Sequence, residues 1–166
     1  GHQYEIGAKY QPEWFDGLFT VAFFDLTRQN VVTGPFGAET QIGEVNSRGF
    51  EFSASANLTE DLKLTAAFTA YDLEITDDTD VTIIGKTPNI VPEQQASLFA
   101  DYTVPAGMFE GLTFGAGVRY TGSSWVDNAN TQEVPSAAVF DAKIGYEKED
   151  WGVDLNVTNL ADKRYV

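Results

Sequence analysis

Phe50-Glu51-Phe52-Ser53-Ala54-Ser55-Ala56-Asn57-Leu58 decides the fold class. Apolar residues take the even positions and polar ones the odd positions, which is the period of an extended strand with two unlike faces. The same alternation returns at Ala96, Leu98, Ala100, Tyr102 and Val104. It returns again at Leu112, Phe114, Ala116, Val118 and Tyr120, with Thr113, Gly115, Gly117, Arg119 and Thr121 opposite. Ala138, Phe140, Ala142, Ile144 and Tyr146, then Trp151, Val153, Leu155 and Val157, extend the series, and Tyr4, Ile6, Ala8 and Tyr10 begin it. Leu18 to Asn30 and Leu64 to Ile75 are partly apolar on both faces but extended in character. Together these segments predict eight antiparallel strands in a meander.

The links between them sort by length. Short ones run from Pro12 to Gly17, Thr59 to Asp61, Pro105 to Gly111 and Glu147 to Asp150. Long ones run from Thr33 to Gln41, Thr76 to Pro92 and Gly122 to Pro135, rich in Gly, Asn, Asp, Thr and Pro as mobile surface loops are. Strict alternation of tight turns and long loops is the asymmetry of an outer-membrane β-barrel, with the tight turns periplasmic. A soluble sandwich has no reason to sort its loops by parity. Tyr4, Tyr10, Trp14, Phe15, Phe109, Tyr120, Trp125, Tyr146 and Trp151 fall near strand ends, where an interfacial girdle needs rings.

Composition narrows the classes. At 43% hydrophobic and 13% aromatic, the 166 residues carry too much apolar surface for a disordered polymer despite a net charge of −15. No stretch approaches the ~18 apolar residues of a spanning helix, which leaves barrel strands untouched because they alternate. Asp and Glu number 25 against 10 Lys and Arg, so a nucleic-acid partner is not expected. Zero cysteines exclude a disulfide framework and a thiolate metal site. Gly1-His2-Gln3 has neither the basic nor the apolar region of a signal peptide, so an exported parent is expected to have lost its beginning.

The polar face helps to choose the medium. It is mostly Ser, Thr, Gly and Asn, with scattered Glu51, Asp101, Arg119, Asp141, Lys143 and Asp154, where a soluble barrel or sandwich would carry Lys and Glu. Small polar residues suit a wide, wet lumen, whereas an eight-stranded barrel has an interior that side chains must fill, and Gly115, Gly117, Ser53 and Ser55 would leave it hollow. Parity agrees. With periplasmic short turns both chain ends lie outside, and eight strands of a wide barrel leave two unpaired edges in lipid. The fold class is therefore all-β: an antiparallel transmembrane β-barrel segment of about eight strands, part of a larger barrel.

Particular residues also carry a family resemblance. Gly85-Lys86-Thr87-Pro88-Asn89-Ile90-Val91-Pro92-Glu93-Gln94-Gln95-Ala96-Ser97-Leu98 resembles a late-barrel loop and strand of TonB-dependent siderophore receptors. Gly115-Ala116-Gly117-Val118-Arg119-Tyr120-Thr121-Gly122-Ser123-Ser124 resembles the next strand, and Val134-Pro135-Ser136 through Phe140-Asp141-Ala142 the one after. Leu155-Asn156-Val157-Thr158-Asn159-Leu160-Ala161-Asp162-Lys163-Arg164-Tyr165-Val166 resembles the penultimate strand and its exit. The resemblance implies a plugged barrel of about 22 strands in the bacterial outer membrane. It also implies that the barrel binds a ferric siderophore as transported ligand and is energised by the TonB complex acting on the plug. It places residues 1–166 as a partial barrel domain, with the plug domain and the last strand absent. Outer-membrane lipid, the ferric siderophore and the TonB complex are then the partners.

No catalytic constellation emerges, and no enzyme activity, cofactor or metal site is expected. His2 is the single histidine and sits beside the N-terminal Gly1. Asp77, Asp78 and Asp80 lack the Gly and terminal Glu of a calcium loop and read as a solvated tip. Gly115-Ala116-Gly117 lacks the further glycine, helix and Lys that would cradle phosphate. Four residues are candidates for ligand contact: Arg119, Trp125, Asp127 and Asn128. Arg119 could instead pair with a carboxylate on a neighbouring strand. Trp125, beside Asp127, Asn128 and Asn130, could stack on a ligand or anchor at the interface. Between strands Glu39, Asp77, Asp78, Asp80, Asp127 and Glu133 stand against Lys86, a balance that disfavours an anionic ferric catecholate relative to a neutral or cationic hydroxamate. Two other architectures fit the alternation: a complete small outer-membrane barrel acting as an adhesin or structural protein, which requires the first and last strands to pair, and a soluble β-sandwich or lipocalin-like binder, which requires a dry interior.

Overall fold

Alternation of apolar and small polar residues, rich in β-branched and aromatic side chains, folds most of the chain into strands. In the computed structural model, residues 1–33 and 39–165 are described; five residues of the Thr33 to Gln41 link, 34–38, lie outside them. The strands are β1 (His2–Tyr10), β2 (Gly17–Thr33), β3 (Thr40–Asn57), β4 (Leu62–Asp77), β5 (Gln94–Thr103) and β6 (Leu112–Thr121). Two short ones follow, β7 (Ser124–Trp125) and β8 (Glu133–Val134), then β9 (Ala137–Lys148) and β10 (Trp151–Val157). The eight long strands form one antiparallel sheet in the order β1-β2-β3-β4-β5-β6-β9-β10, while β7 and β8 make a separate two-stranded ribbon. That ribbon lies inside the Gly122 to Pro135 link, where two residues per strand are too few for a periodic signal.

Register keeps unlike faces apart across the whole sheet. Phe19 stands opposite Ala54, Ala54 opposite Ala66, Ala66 opposite Leu98, Leu98 opposite Val118 and Val118 opposite Phe140. One residue along, Thr20, Ser53, Ala67, Ser97 and Arg119 form the corresponding row on the other face. A slip by one residue anywhere would mix the two. β5 and β6 have 10 residues each, the length of a tilted strand crossing a hydrocarbon layer, about 9–11 residues.

The apolar face is not a core. Phe52, Leu98, Phe114 and Phe140 expose 38%, 48%, 47% and 54% of their surface, which excludes the dry interior of a sandwich or lipocalin. Among the described residues β1 pairs only with β2 and β10 only with β9, so the sheet is open and does not fit the small closed barrel either.

Burial is instead concentrated at the long-loop end. On the apolar face the row Phe23, Phe50, Ala70 is followed by Asp25, Arg48, Asp72 and then Thr27, Asn46, Glu74, so the greasy band has a sharp edge. Arg48 closes on Asp25 at 2.9 Å there, and the Asn46 amide donates to the same carboxylate at 2.8 Å. Beyond that edge Ile42, Val45 and Ile75 are buried, with Val31, Leu73 and Ile83 packed against them. This inversion explains why β3 starts at Thr40 rather than Phe50. Past the band the face formerly apolar carries Arg48, Asn46 and Glu44, and the local pattern no longer reads as half-buried strand.

At the other end the turns are closed by their own side chains. The Thr59 hydroxyl accepts the N–H groups of Asp61 and Leu62, and the Asn57 amide donates to Asp16 at 2.6 Å. Tyr10, Trp14, Phe109 and Trp151 are all exposed at this end, a ring of aromatics where an interface would lie.

Candidate ligand-facing wall and loops

The polar face and the long loops are the surfaces a ligand could meet, and both are more filled than the alternation alone implies. Phe99 lies on the polar face, directly opposite Gly117. Its ring covers both Gly115 and Gly117: a Cβ on Gly115 would fall 2.7 Å from the ring, and one on Gly117 would collide with it. The glycines are therefore not a bare patch of the wall. They make room for a ring from the adjacent strand. Beside it is a shallow recess of about 310 Å³, whose polar-face lining is Ala67, Thr69, Gln95, Ser97, Arg119 and Thr121.

Arg119 is engaged by a neighbouring strand, with 48% of its side chain left open. Its Nε donates to Asp141 Oδ2 at 2.6 Å and its Nη2 to Oδ1 at 3.1 Å, a two-pronged contact with β9. The same Asp141 accepts the backbone N–H of Asn159 at 2.9 Å. Asn159 in turn holds Lys163 by both main-chain groups, accepting its N–H at 2.9 Å and donating to its carbonyl at 3.0 Å. Asn159 and Asp162 sit at φ 52° and 49°, a left-handed conformation that Asn and Asp tolerate better than other side chains. The Asn-Leu-x-Asp-Lys segment is thus a turn template tied to the wall. Lys143 and Asp154 make a further ion pair at 3.2 Å across β9 and β10.

The other three candidates are in the 122–135 loop, and two of them brace it. Asp127 accepts the N–H of Thr131 at 3.0 Å and the Thr131 hydroxyl, and Val126 N–H reaches Gln132 O at 2.9 Å. Hydrogen bonds from the Thr131 hydroxyl and N–H hold the Asp127 carboxyl below its ordinary pKa. A depressed carboxyl stabilises the fold above its unfolded pKa, and that contribution is lost as pH falls through the depressed value. Protection of the Thr131 amide should therefore be constant from neutrality to about pH 4 and fall only below it. Amide exchange followed by NMR checks this, and a loss of protection between pH 5 and 7 would refute it. Asn128 accepts the N–H of Asn89 at 2.9 Å from the other long loop, and the half-buried Trp125 gives its carbonyl to the Ile90 N–H at 2.7 Å.

Sequence reasoning missed Phe99, and it missed Thr87, Asn89 and Ile90, the partners of that loop. It also missed the Phe24 and Tyr71 rings, 6.3 Å apart on the polar face. An aromatic residue at a polar-face position, paired across strands with glycine, was the available signal for Phe99.

A family model for TonB dependent receptor-like β-barrels matches residues 1–160. The chain belongs to the TonB-dependent receptor β-barrel family. It is 42% identical over 174 residues to the ferrichrome outer membrane transporter/phage receptor of Escherichia coli K12, covering 100% of this chain and 23% of that protein. It is 35% identical to the ferrioxamine B receptor of Salmonella typhimurium, covering 100% of this chain and 24% of that one. The crystal structure of the siderophore receptor PiuA from Acinetobacter baumannii superposes with a TM-score of 0.77 at 30% identity, over 98% of this chain and 24% of that one. The chain thus spans about a quarter of the length of the relatives it matches. TonB-dependent receptor barrels are outer-membrane proteins, and this chain carries an exposed apolar band on one face of its sheet and a largely polar wall on the other.

Proposed function

We propose that residues 1–166 form the barrel wall, lumen lining and outer loops of a receptor that binds and imports ferric siderophores, energised through TonB. The plug domain and the closing strand lie outside this stretch. In this arrangement the short turns face the periplasm and the long loops the exterior. The role is binding and transport, not catalysis. One observation carries it: an open meander of TonB-dependent receptor strands whose rows of apolar side chains are exposed mainly on one face, with a largely polar wall on the other. Relatives named for ferrichrome and ferrioxamine B support a siderophore as cargo.

Charge narrows the cargo. Asp77, Asp78, Asp80, Asp127 and Glu133 surround the long-loop end with Lys86 as counter-charge, so a neutral or cationic ferric hydroxamate is favoured over an anionic ferric catecholate. Arg119 and Trp125, each with part of its side chain open, are the stronger ligand contacts. Asp127 and Asn128 shape the loop that presents Trp125. The test is uptake of radiolabelled iron by iron-starved cells carrying the full-length receptor as their only one. A neutral ferric trihydroxamate should enter in a TonB-dependent manner, and an anionic ferric tricatecholate poorly. Catecholate uptake without hydroxamate uptake would overturn the cargo reading, and uptake of neither would overturn the transport reading.

A further inference from the structure

Gly- and Asn-rich links of this length are expected to be mobile, yet two of the three here are bound to the sheet and to each other. β5 stops at Gln94, which leaves the upper edge of β4 open, and the 78–93 loop fills that edge with its own backbone. Ile75 N–H donates to Lys86 O at 2.8 Å, Gly85 N–H to Ile75 O at 2.9 Å and Tyr71 N–H to Glu93 O at 3.0 Å. The Tyr71 hydroxyl adds a bond to Pro92 O at 2.8 Å, and Ile83 packs onto the buried Ile42, Val45 and Ile75.

The far side of that loop carries the 122–135 loop. Thr87 and Asn130 bond reciprocally, Thr87 N–H to Asn130 Oδ1 at 3.0 Å and Asn130 Nδ2 to Thr87 O at 2.8 Å. Asn89 N–H reaches Asn128 Oδ1 and Ile90 N–H reaches Trp125 O, so three positions in a span of four donate main-chain N–H groups across the seam. Ile90 does so at φ 61°, a left-handed conformation that a β-branched residue adopts only when its surroundings over-determine it. The 122–135 loop is stiff in itself, through the β7–β8 ribbon and the Asp127–Thr131 turn.

We propose that the bonds joining the 78–93 and 122–135 loops at Thr87, Asn89 and Ile90 form one cooperative seam, made and lost together. The two loops are joined by short bonds clustered within residues 87–90, so losing one bond is expected to loosen the rest. Independent loops would instead fray one contact at a time.

Amide hydrogen exchange on the full-length receptor tests this without any ligand. In the unsubstituted receptor the Thr87, Asn89 and Ile90 amides should exchange slowly at one common rate. Asn130→Gly, which keeps the left-handed φ of 56°, removes both Thr87 bonds and the 3.3 Å bond from Asn130 Nδ2 to Asp127 O, yet should speed all three amides by about tenfold or more. Asn128→Ala removes only the Asn89 bond and should speed Thr87 as much. The Ile75 and Gly85 amides, pinned to the β4 edge, should not change in either variant. Acceleration confined to the amide that lost its acceptor would overturn the proposal. So would unprotected rates in the unsubstituted receptor, or acceleration spreading into β4.

Discussion

Ala54→Arg should destabilise the barrel by about 2–4 kcal/mol, while Ser53→Arg on the next residue should cost no more than about 1 kcal/mol. Both replace a small side chain in the middle of β3, so neither loses packing of consequence. They differ in the medium they enter. Ala54 lies in the row Phe19, Ala66, Leu98, Val118 and Phe140, all apolar and on the face that we propose meets lipid. Ser53 is exposed on the lumenal face between Thr20 and Ala67, where a guanidinium stays wet. Denaturant unfolding of the full-length receptor in lipid measures both, with heat-modifiable gel mobility as the check on folding. Equal costs would remove the basis for assigning lipid to one face and water to the other, and a larger cost at Ser53 would reverse the assignment.

Gly49→Val is the other substitution with a large expected effect, about 3 kcal/mol, at the upper end for overpacking. Gly49 lies on the lumenal face of β3 between Phe24 and Tyr71. A Cβ there would collide with Ala70 O and Tyr71 Cβ and fall 2.6 Å from Tyr71 Cα. Those atoms belong to or adjoin the backbone of β4 and cannot swing aside as a side-chain tip can. The glycine lets Tyr71 lean over β3 towards Phe24, and Tyr71 holds the long loop through Pro92. The variant should therefore also speed amide exchange in the 78–93 loop. Gly152→Ala is the control: the nearest atom to its added Cβ is 3.6 Å away, and the change should stay within about 0.5 kcal/mol. If the two variants unfold alike, Gly49 is not a site of close strand approach.

Within the band, the amino-acid pattern was a reliable guide, because strand alternation is a local property and each residue's face follows from its neighbours. Phe50 to Leu58 announces β3 without reference to anything else. Above the band the guide failed at the residues where the medium changes. Asn46 and Arg48 occupy the same face as Phe50, but they lie past the edge of the exposed apolar band and close on Asp25, so the polarity of the face reverses while the strand continues. The candidate site was legible in part. A carboxylate partner for Arg119 follows from β-sheet neighbours on one face, and the choice of Asp141 among them needed the register.

By itself, then, the sequence determined the two-faced strands, the alternation of tight turns with long links and the open meander they make, since all of these rest on spacing within a few residues. Only the tertiary structure decided that Phe99 fills the space above Gly115 and Gly117, that Asp141 gathers both Arg119 and Asn159, and that Asn130 closes on Thr87. Each of those contacts joins residues far apart along the chain, and strand register, loop path and backbone strain select the partner together, none of which is encoded in any short window.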